Sequence, residues 1–448
     1  MPDLYYKIDG STVYYANEDL DGTYIKATLP FTRSTTVSID KIVDVSDLME
    51  MPERCDYLFY YCTNTSLDLS GSSASAITSL ESCFSNCRNL QTLDLSGWQP
   101  GQIVSISSAF GNCKQLTSLD LSEWYTDSVE DMSYAFSGCS LLSTLDISNW
   151  SFMSVENMNS MFFGCQSLLN LDVSNWDVSN VEDMGSMFYA CRFSTLDVSN
   201  WEPSRVKSMN EMFFDCMNLS SLDVSAWNVE SVTDTRSMFR GCSGLSTIDI
   251  SNWNTEQIKN MSYMFAGTGI TSVDFDGLDL SSVTTASGLF NSCDKLVSVS
   301  NIDLPSNTTL AWLFNGCSNL TSVSNINSPN ATTTDFMFCD CTNLETIKVI
   351  DWDISKVKNT TSMFSGCEKL KTILAAGDAD WATEAQITSS SSMFYNCQLL
   401  PNFDSSEIDV SKANASSTGY FTADAPVWVA HEVYVKDEGV WVPVDVYR

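Results

Sequence analysis

A phenylalanine followed three residues later by a cysteine recurs along most of this chain, at intervals of 24 to 30 residues. A period this regular predicts one structural unit stacked on copies of itself, rather than a globule with a buried reaction centre. Function is then expected on the surface of the stack. The phenylalanines are Phe59, Phe84, Phe110, Phe136, Phe162, Phe188, Phe213, Phe239, Phe265, Phe290, Phe314, Phe338, Phe364 and Phe394.

One clear copy of the unit, residues 129–150, reads V-E-D-M-S-Y-A-F-S-G-C-S-L-L-S-T-L-D-I-S-N-W. Residues 145–148 alternate apolar and polar, which predicts a strand. The apolar residues of 129–136 are spaced three and four apart, which favours a short helical or irregular turn. Gly138 and its counterparts predict a positive φ at the end of that turn. Strands of successive turns are expected to pair in parallel, about 4.8 Å apart.

The predicted fold is therefore a repeat solenoid, a right-handed coil of about 14 units with stacked parallel strands. Residues 51–421 are expected to form it. Residues 1–50 do not repeat and predict a small N-terminal β cap or attachment module. Residues 422–448 predict a C-terminal β-hairpin.

The repeat resembles the BspA-like leucine-rich repeats, whose units read roughly C-x-x-L-x-x-L-D-[LV]-S-x-W-x-x-x-x-V-x-x-M-x-x-M-F. The segment from Cys165 to Phe188 matches that pattern at nearly every position. The resemblance implies a surface interaction protein, often an adhesin, without enzymatic activity. The match weakens between Asp274 and Ile347, where the L-D-L-S-x-W strand is replaced, and at Thr268, which stands where a cysteine is expected.

The charge limits the choice of partner. Lys and Arg total 22 against 56 Asp and Glu, a formal net charge of −34. Such a surface repels phosphate backbones and anionic lipid, so nucleic acid is not expected as a partner. The first residues lack a basic stretch followed by an apolar run, and no apolar run is long enough to span a bilayer. We therefore expect neither a secretory signal nor membrane insertion.

The cysteines form a ladder. Thirteen of the 16 occupy the repeat position, and Cys55, Cys83 and Cys339 do not. Because the paired C-x-x-C spacing of zinc sites is absent, buried reduced thiols are the favoured interpretation. A few disulfides between neighbouring turns, or a metal site, remain the alternatives.

The tryptophans form a second ladder. Exposed tryptophans would indicate a sugar-binding surface, but a buried aromatic seam is the favoured interpretation. The members are Trp98, Trp124, Trp150, Trp176, Trp201, Trp227, Trp253 and Trp352.

Aspartates form a third ladder, each between two apolar strand residues and hence facing away from the core. Like charges about 5 Å apart repel by roughly 0.8 kcal/mol even in water. Hydrogen bonds to neighbouring hydroxyls, raised pKa values or bound cations would each relieve this. A solvated, hydrogen-bonded ribbon is favoured, and a stripe that binds calcium or a basic ligand is the alternative. The stripe consists of Asp94, Asp120, Asp146, Asp172, Asp197, Asp223 and Asp249.

The segment between each tryptophan and the next valine differs most from copy to copy. Positions without packing constraint are where binding specificity can arise, although neutral drift explains the variation equally well. The ligand-binding candidates are Phe152, Met153, Asp177, Asn180, Glu202, Arg205 and Glu256.

No catalytic set, phosphate loop or metal motif accompanies the repeat, so we expect neither an enzyme nor a cofactor. The C-terminal segment from Val433 to Trp441 resembles the V-Y-V-K-x-x-G-x-W ends of bacteriophage tail and fibre proteins. That resemblance implies a virion protein for host attachment, with a host-surface protein or glycan, or other virion proteins, as partners. An exported cell-surface adhesin and a cytoplasmic scaffold are the alternatives. A homo-oligomer is compatible with a virion protein and with an adhesin.

Overall fold

A computed structural model describes residues 51–424, apart from 52 and 71, and the backbone alone of the strands at 5–9, 12–16, 25–26, 42–44, 49–50, 431–437 and 440–446. The repeats form a solenoid of stacked parallel strands, as their period predicts. Its strands are Met49–Glu50, Ser66–Asp68, Ser72–Ser73, Thr92–Asp94, Ser118–Asp120, Thr144–Asp146, Ser272–Asp274, Ser298–Asp303, Ser322–Asn327, Thr346–Lys348, Thr372–Ala375 and Thr422–Ala423.

Most of these strands pair in register with the equivalent strand of a neighbouring turn, whereas Ser72–Ser73 pairs with Met49–Glu50 in a separate sheet. Leu145 pairs with Leu119, and Asp146 pairs with Asp120. In five of the six three-residue strands of the solenoid the middle residue is buried and its two neighbours are exposed. The period-two alternation of the sequence therefore sets which side chains face the core.

A second ladder of single-residue parallel bridges follows the opposite side of each turn. It joins Arg54, Ser79, Ser105, Asp131, Asn157, Asp183, Ser208, Asp234, Asn260 and Thr285, and then Thr309, Thr333, Asn359 and Ser389. This ladder joins nearly every turn to its neighbours, and the step from Thr285 to Thr309 is the exception.

The segment around Phe136 consists of hydrogen-bonded turns rather than helix, so the irregular alternative is correct. The N–H of Phe136 donates to Met161 of the next turn at 2.9 Å, whereas the N–H of Ala135 donates to Met132 of its own turn at 3.2 Å. This alternation satisfies the backbone groups of a buried segment. Gly138 has a φ of 74°, which confirms the positive φ predicted for it.

The repeated phenylalanines form the centre of the core. Their fourteen rings stack in one column, with centroids of successive rings 5.1–5.8 Å apart. Each buried ring contributes about 1.5–3 kcal/mol by its removal from water. Because the column runs through every turn, it sets the pitch of the stack.

All sixteen cysteines are buried thiols in the reduced state, in agreement with the favoured interpretation. Twelve of the thiols donate to the carbonyl oxygen of the repeat phenylalanine one turn earlier, as Cys139 does to Phe110 at 3.0 Å. The cysteine ladder is a packing and hydrogen-bonding device.

The tryptophans line the core beside the phenylalanines. Seven are at most 8% exposed, so the buried-seam interpretation holds for them. Trp352 departs from the rest because it is only partly buried. The neighbours Trp201 and Trp227 stack with centroids 6.0 Å apart, and the column is interrupted between Trp253 and Trp352.

The helices in the described residues are short. Trp381–Glu384 lies in the insertion before Phe394 and is capped by Asp380, whose side chain accepts the N–H of Ala382. A 3-10 helix covers Val410–Lys412. Neither has the length that a bilayer-crossing helix needs.

Strands outside the solenoid lie in the two terminal regions. Tyr5–Asp9, Thr12–Ala16, Ile25–Lys26 and Ile42–Asp44 form a four-stranded sheet. His431–Asp437 and Val440–Val446 pair antiparallel. The side chains of both regions, and the hairpin turn at 438–439, lie outside the described residues, so the terminal modules stay predictions.

Candidate binding surface

The aspartates predicted as a stripe are exposed along the strand side, and each accepts hydrogen bonds from the serine two residues later. The Oδ1 of Asp172 accepts the N–H of Ser174 at 3.0 Å and its hydroxyl at 2.6 Å. Asp94 and Asp146 accept the backbone N–H alone. The same arrangement with both donors recurs at Asp120, Asp197, Asp223 and Asp249. Each aspartate therefore begins a hydrogen-bonded turn, and Asp94, Asp120 and Asp146 also end a strand.

These hydrogen bonds also stabilise the negative charge of the aspartate ribbon. Hydrogen bonds from Ser174 and Ser225 lower the pKa of Asp172 and Asp223 below the usual aspartate value. Bonds from Ser122 and Ser251 do the same for the pKa of Asp120 and Asp249. The alternative of raised pKa values is therefore wrong for these four. The carboxylates stay ionised at neutral pH.

A cation stripe stays a prediction. In the described part of the chain no three side chains of His, Cys, Asp or Glu are grouped as metal ligands. One carboxylate oxygen of each aspartate already accepts from its own turn.

The candidate Phe152 is wrong as a ligand-binding residue, because its ring is buried. It stacks on Trp176 with centroids 3.9 Å apart and contacts Trp150 at 6.4 Å. It fills the space between two members of the tryptophan column. The next residue, Met153, is 55% exposed.

Three other candidates come together across successive turns. Asn180 donates from Nδ2 to the carbonyl oxygen of Met153 at 2.7 Å, and Arg205 donates to Oδ1 of Asn180 at 2.9 Å. Glu182 completes the cluster, with Arg205 at 3.0 Å and Lys207 at 2.5 Å. Lys207 and, to a lesser extent, Arg205 lower the pKa of Glu182. We call Met153, Asn180, Glu182, Arg205 and Lys207 the corner cluster.

The sequence analysis missed Glu182 and Lys207. Both directly follow the repeat valine, at Val181 and Val206. Opposite charges at one repeat position in consecutive turns are the signal that would have predicted this ion pair.

The remaining candidates do not join the cluster. Asp177, Glu202 and Glu256 are exposed. Asp177 accepts the N–H and hydroxyl of Ser179 at 3.1 and 2.7 Å, which lower its pKa.

A second candidate surface lies where the repeat departs from its pattern. Phe290, Phe314 and Phe338 are 24 residues apart, two fewer than in most turns. The lost residues come from the corner between the strand and the repeat valine. Seven positions separate Ser300 from Asn307, whereas nine separate the equivalent residues Asp146 and Val155.

The shortened corners leave a groove of about 600 Å³. Its floor comes from the six-residue strands Ser298–Asp303 and Ser322–Asn327. We call this groove the notch, lined by Phe275, Asp276, Gly277, Leu278, Asn301, Asp303, Ser324, Asn325, Ile326, Asn327, Lys348, Asp351 and Trp352.

The side chain of Asn307 supplies hydrogen bonds where the bridge ladder is interrupted in these short turns. It is fully buried at the repeat-valine position. Its Oδ1 accepts the N–H of Ala286 at 3.0 Å, and its Nδ2 donates to the carbonyl of Thr309 at 2.8 Å. The side-chain amide thereby bridges the gap in the bridge ladder between Thr285 and Thr309.

The repeats match a known family model, described as Mycoplasma protein of unknown function, DUF285. Overlapping matches cover residues 53–166, 78–199, 132–240, 190–303 and 308–426. Together they account for most of the chain. The chain belongs to the DUF285 family. No curated protein matches it.

Solved structures similar to this DUF285 chain are repeat proteins. A leucine-rich repeat protein from Eubacterium ventriosum is 15% identical, with a TM-score of 0.33, over 89% of this chain and 94% of that one. The functional domain of InlJ from Listeria monocytogenes, which includes a cysteine ladder, is 16% identical, with a TM-score of 0.17, over 72% of this chain and 62% of that one. Because these identities and TM-scores are low, the candidate binding surfaces of the DUF285 solenoid follow from the geometry of this chain alone.

Proposed function

We propose that this chain is a non-catalytic recognition protein whose solenoid surface binds a protein or glycan on a cell surface. The proposal is supported by the division of the repeat into a buried spine and an exposed polar face. The phenylalanine, cysteine and most tryptophan positions are buried, so variation from turn to turn reaches solvent along the ribbon and the corners. Adhesion is also what the BspA-like resemblance implies.

The observation that carries the proposal is the corner cluster. Its side chains are held in place across three turns before any partner arrives. Binding to such a pre-ordered surface costs less side-chain entropy than binding to free side chains. The exposed methionine beside it offers adaptable apolar contact.

The charge of the chain narrows the partner. A net charge of −34 repels nucleic acid and anionic lipid, and favours neutral or basic surfaces. Glu182, Arg205 and Lys207 carry one negative and two positive charges. The corner cluster therefore carries one excess positive charge on an acidic rod, and it suits a single exposed carboxylate on a partner whose surface is otherwise neutral or basic.

We further propose that the chain is carried on a virion. The support is the resemblance of the segment from Val433 to Trp441 to the ends of phage tail and fibre proteins. An exported adhesin on a bacterial or eukaryotic cell is the competing carrier. Immunogold labelling of particles and of intact cells with antibody against the solenoid separates the two. Label on cells and none on particles would overturn the virion proposal.

Binding itself is tested with the full chain, fluorescently labelled at its amino terminus, on a panel of cells. We expect saturable binding that Arg205→Ala together with Lys207→Ala weakens at least tenfold. The control is Lys295→Ala with Lys371→Ala, which removes the same charge from two ion pairs outside the corner cluster and the notch. Absence of binding to every cell type would refute the recognition function, and an equal loss in the control would assign binding to net charge instead.

A further inference from the structure

The floor of the notch presents three asparagine amides and the carboxylate of Asp303 in a fixed array. Asn325 donates from Nδ2 to Oδ1 of Asn301 at 2.9 Å, and Asn327 donates from Nδ2 to Oδ1 of Asp303 at 2.8 Å. Each bond uses one proton of a two-proton amide and one oxygen. Within the described residues this leaves the Asn301 amide protons as donors and the Asn325 and Asn327 carbonyl oxygens as acceptors.

Each wall of the notch carries an apolar side chain beside acidic residues. Leu278 forms one wall and stands at a tryptophan position of the repeat, and Trp352 forms the other. In the regular turns each indole is covered by the ring of the preceding turn. The two shortened turns carry no such ring, so Trp352 is partly exposed while the other seven tryptophans are at most 8% exposed.

The size of the notch suits a small ligand. Its volume of about 600 Å³ lies within the range of roughly 300–1,000 Å³ typical of small-molecule sites. Such sites combine apolar and aromatic walls with a few placed polar groups. The notch combines two apolar wall residues, Leu278 and Trp352, with a polar floor.

We propose that the notch binds a neutral oligosaccharide. A pyranose ring offers hydroxyls that both donate and accept at its edge, which match the amide array, and C–H groups on its face, which pack against an indole. An anionic sugar is disfavoured, because Asp276, Asp303 and Asp351 outnumber Lys348. A basic peptide is less well matched, because most hydrogen-bonding groups of the floor are amides. In addition, Asp351 already pairs with Lys348 at 3.6 Å, which leaves fewer carboxylates for a basic side chain. This inference rests on the proposed function and names the ligand class.

The backbone of the floor allows a clean deletion of the amides. Asn301 and Asn325 have φ values of 61° and 55°, in the left-handed region. Glycine adopts this region without strain, whereas alanine does not. Asn301→Gly and Asn325→Gly therefore remove the amides and keep the fold of the strands.

The test is titration of the full chain with chitotetraose, cellotetraose and maltotetraose. Binding is measured by tryptophan fluorescence and by calorimetry. We expect at least one to bind, with a change in the emission of Trp352. Asn325→Gly, Asn301→Gly and Trp352→Leu should each weaken binding at least tenfold. Asn112→Gly, which removes an amide at another residue of positive φ outside the notch, is the control and should leave binding unchanged. Thermal unfolding confirms that each variant folds.

Two results would overturn the notch as a glycan site. One is a dissociation constant above about 1 mM for every neutral probe. The other is a preference for tetralysine, which would assign the notch to a basic peptide segment. Neither result touches the cell-binding experiment with the corner cluster, so the failure of this inference and the failure of the proposed function are distinguishable.

Discussion

The Sγ atom of Cys139 lies 3.0 Å from the carbonyl oxygen of Phe110, one turn earlier, and donates a hydrogen bond to it. The same oxygen accepts the backbone N–H of Cys113 at 3.2 Å. A thiol is small and apolar enough to be buried, and it still donates weakly to a carbonyl. Thr268, which replaces the cysteine of its turn, donates instead to Phe265 of that same turn at 2.7 Å.

Removal of one ladder thiol should destabilise the solenoid. We expect Cys139→Ala to lower the free energy of unfolding by about 1–2 kcal/mol, because the change deletes a buried hydrogen bond and leaves a small cavity. Urea unfolding followed by circular dichroism measures it. Cys339→Ala is the matched control, since that thiol lies outside the repeat position. An equally large loss in the control would show that the ladder bond contributes nothing specific.

The thiols should be unreactive in the folded protein. Burial raises the pKa of Cys165 to about 12, and burial together with the neighbouring Asp340 raises the pKa of Cys339 to about 11. A thiol with a raised pKa stays protonated at pH 8, and the thiolate is the nucleophile. We therefore expect Ellman's reagent to label the native chain slowly, Cys339 first, and all 16 cysteines after denaturation. Rapid native labelling of Cys165, detected by mass spectrometry, would contradict the buried ladder.

The aspartate ribbon should contribute to stability in a pH-dependent way. The hydroxyl and N–H of Ser225 lower the pKa of Asp223 in the folded state. Its contribution is therefore present above the unfolded pKa of about 3.9 and is lost as the pH falls through the folded value. Ser225→Ala should raise the pKa of Asp223, measured by NMR of the carboxyl carbon, and lower Tm at pH 7 but not at acid pH. Ser231→Ala, whose hydroxyl donates to the carbonyl of Ser204, should leave the pKa of Asp223 unchanged.

Much of the core was predictable because the repeat fixes it. The spacing of the phenylalanines, the alternation of residues 145–148 and the glycine at 138 each state a local rule that every turn obeys. Phe152 is buried although it lies in a segment that varies in sequence, so variation alone does not indicate freedom from packing. The position two residues after each tryptophan is buried in turn after turn, as Phe152, Val178 and Pro203 show. Their shared apolar character was the available signal.

The notch could not be predicted in the same way. The 24-residue spacing of Phe290, Phe314 and Phe338 shows that two residues are lost from a turn, but not where the chain closes the gap. The outcome depends on how far Ile302 and Leu304 fill the space of a missing tryptophan. Both are fully buried, yet the flank of Trp352 stays partly exposed. Packing in three dimensions decides this, and local sequence rules do not contain it.

Salt should stabilise the rod. With a net charge of −34, raising the ionic strength from about 0.01 to about 0.15 M shortens the Debye length from about 30 to about 8 Å and weakens self-repulsion. Tm should therefore rise with sodium chloride. If the aspartate stripe binds cations, calcium should raise Tm more than sodium chloride does at the same ionic strength. A chelator should then abolish this additional rise in Tm. Equal shifts with the two salts would leave screening as the whole effect and reject the stripe.

Two neighbouring tryptophans provide a direct measure of the hydrogen bond in the aromatic seam. The indole N–H of Trp150 donates to the carbonyl of Leu121 at 3.1 Å, whereas the indole N–H of Trp124 is buried without an acceptor. Both side chains are buried and stack on each other with centroids 6.3 Å apart. Trp124→Phe and Trp150→Phe remove similar apolar area, but the first also relieves an unsatisfied donor while the second breaks a bond. We expect Trp150→Phe to cost about 1–2 kcal/mol more free energy of unfolding than Trp124→Phe, measured by urea unfolding. Equal costs would show that the bond of Trp150 adds nothing beyond packing.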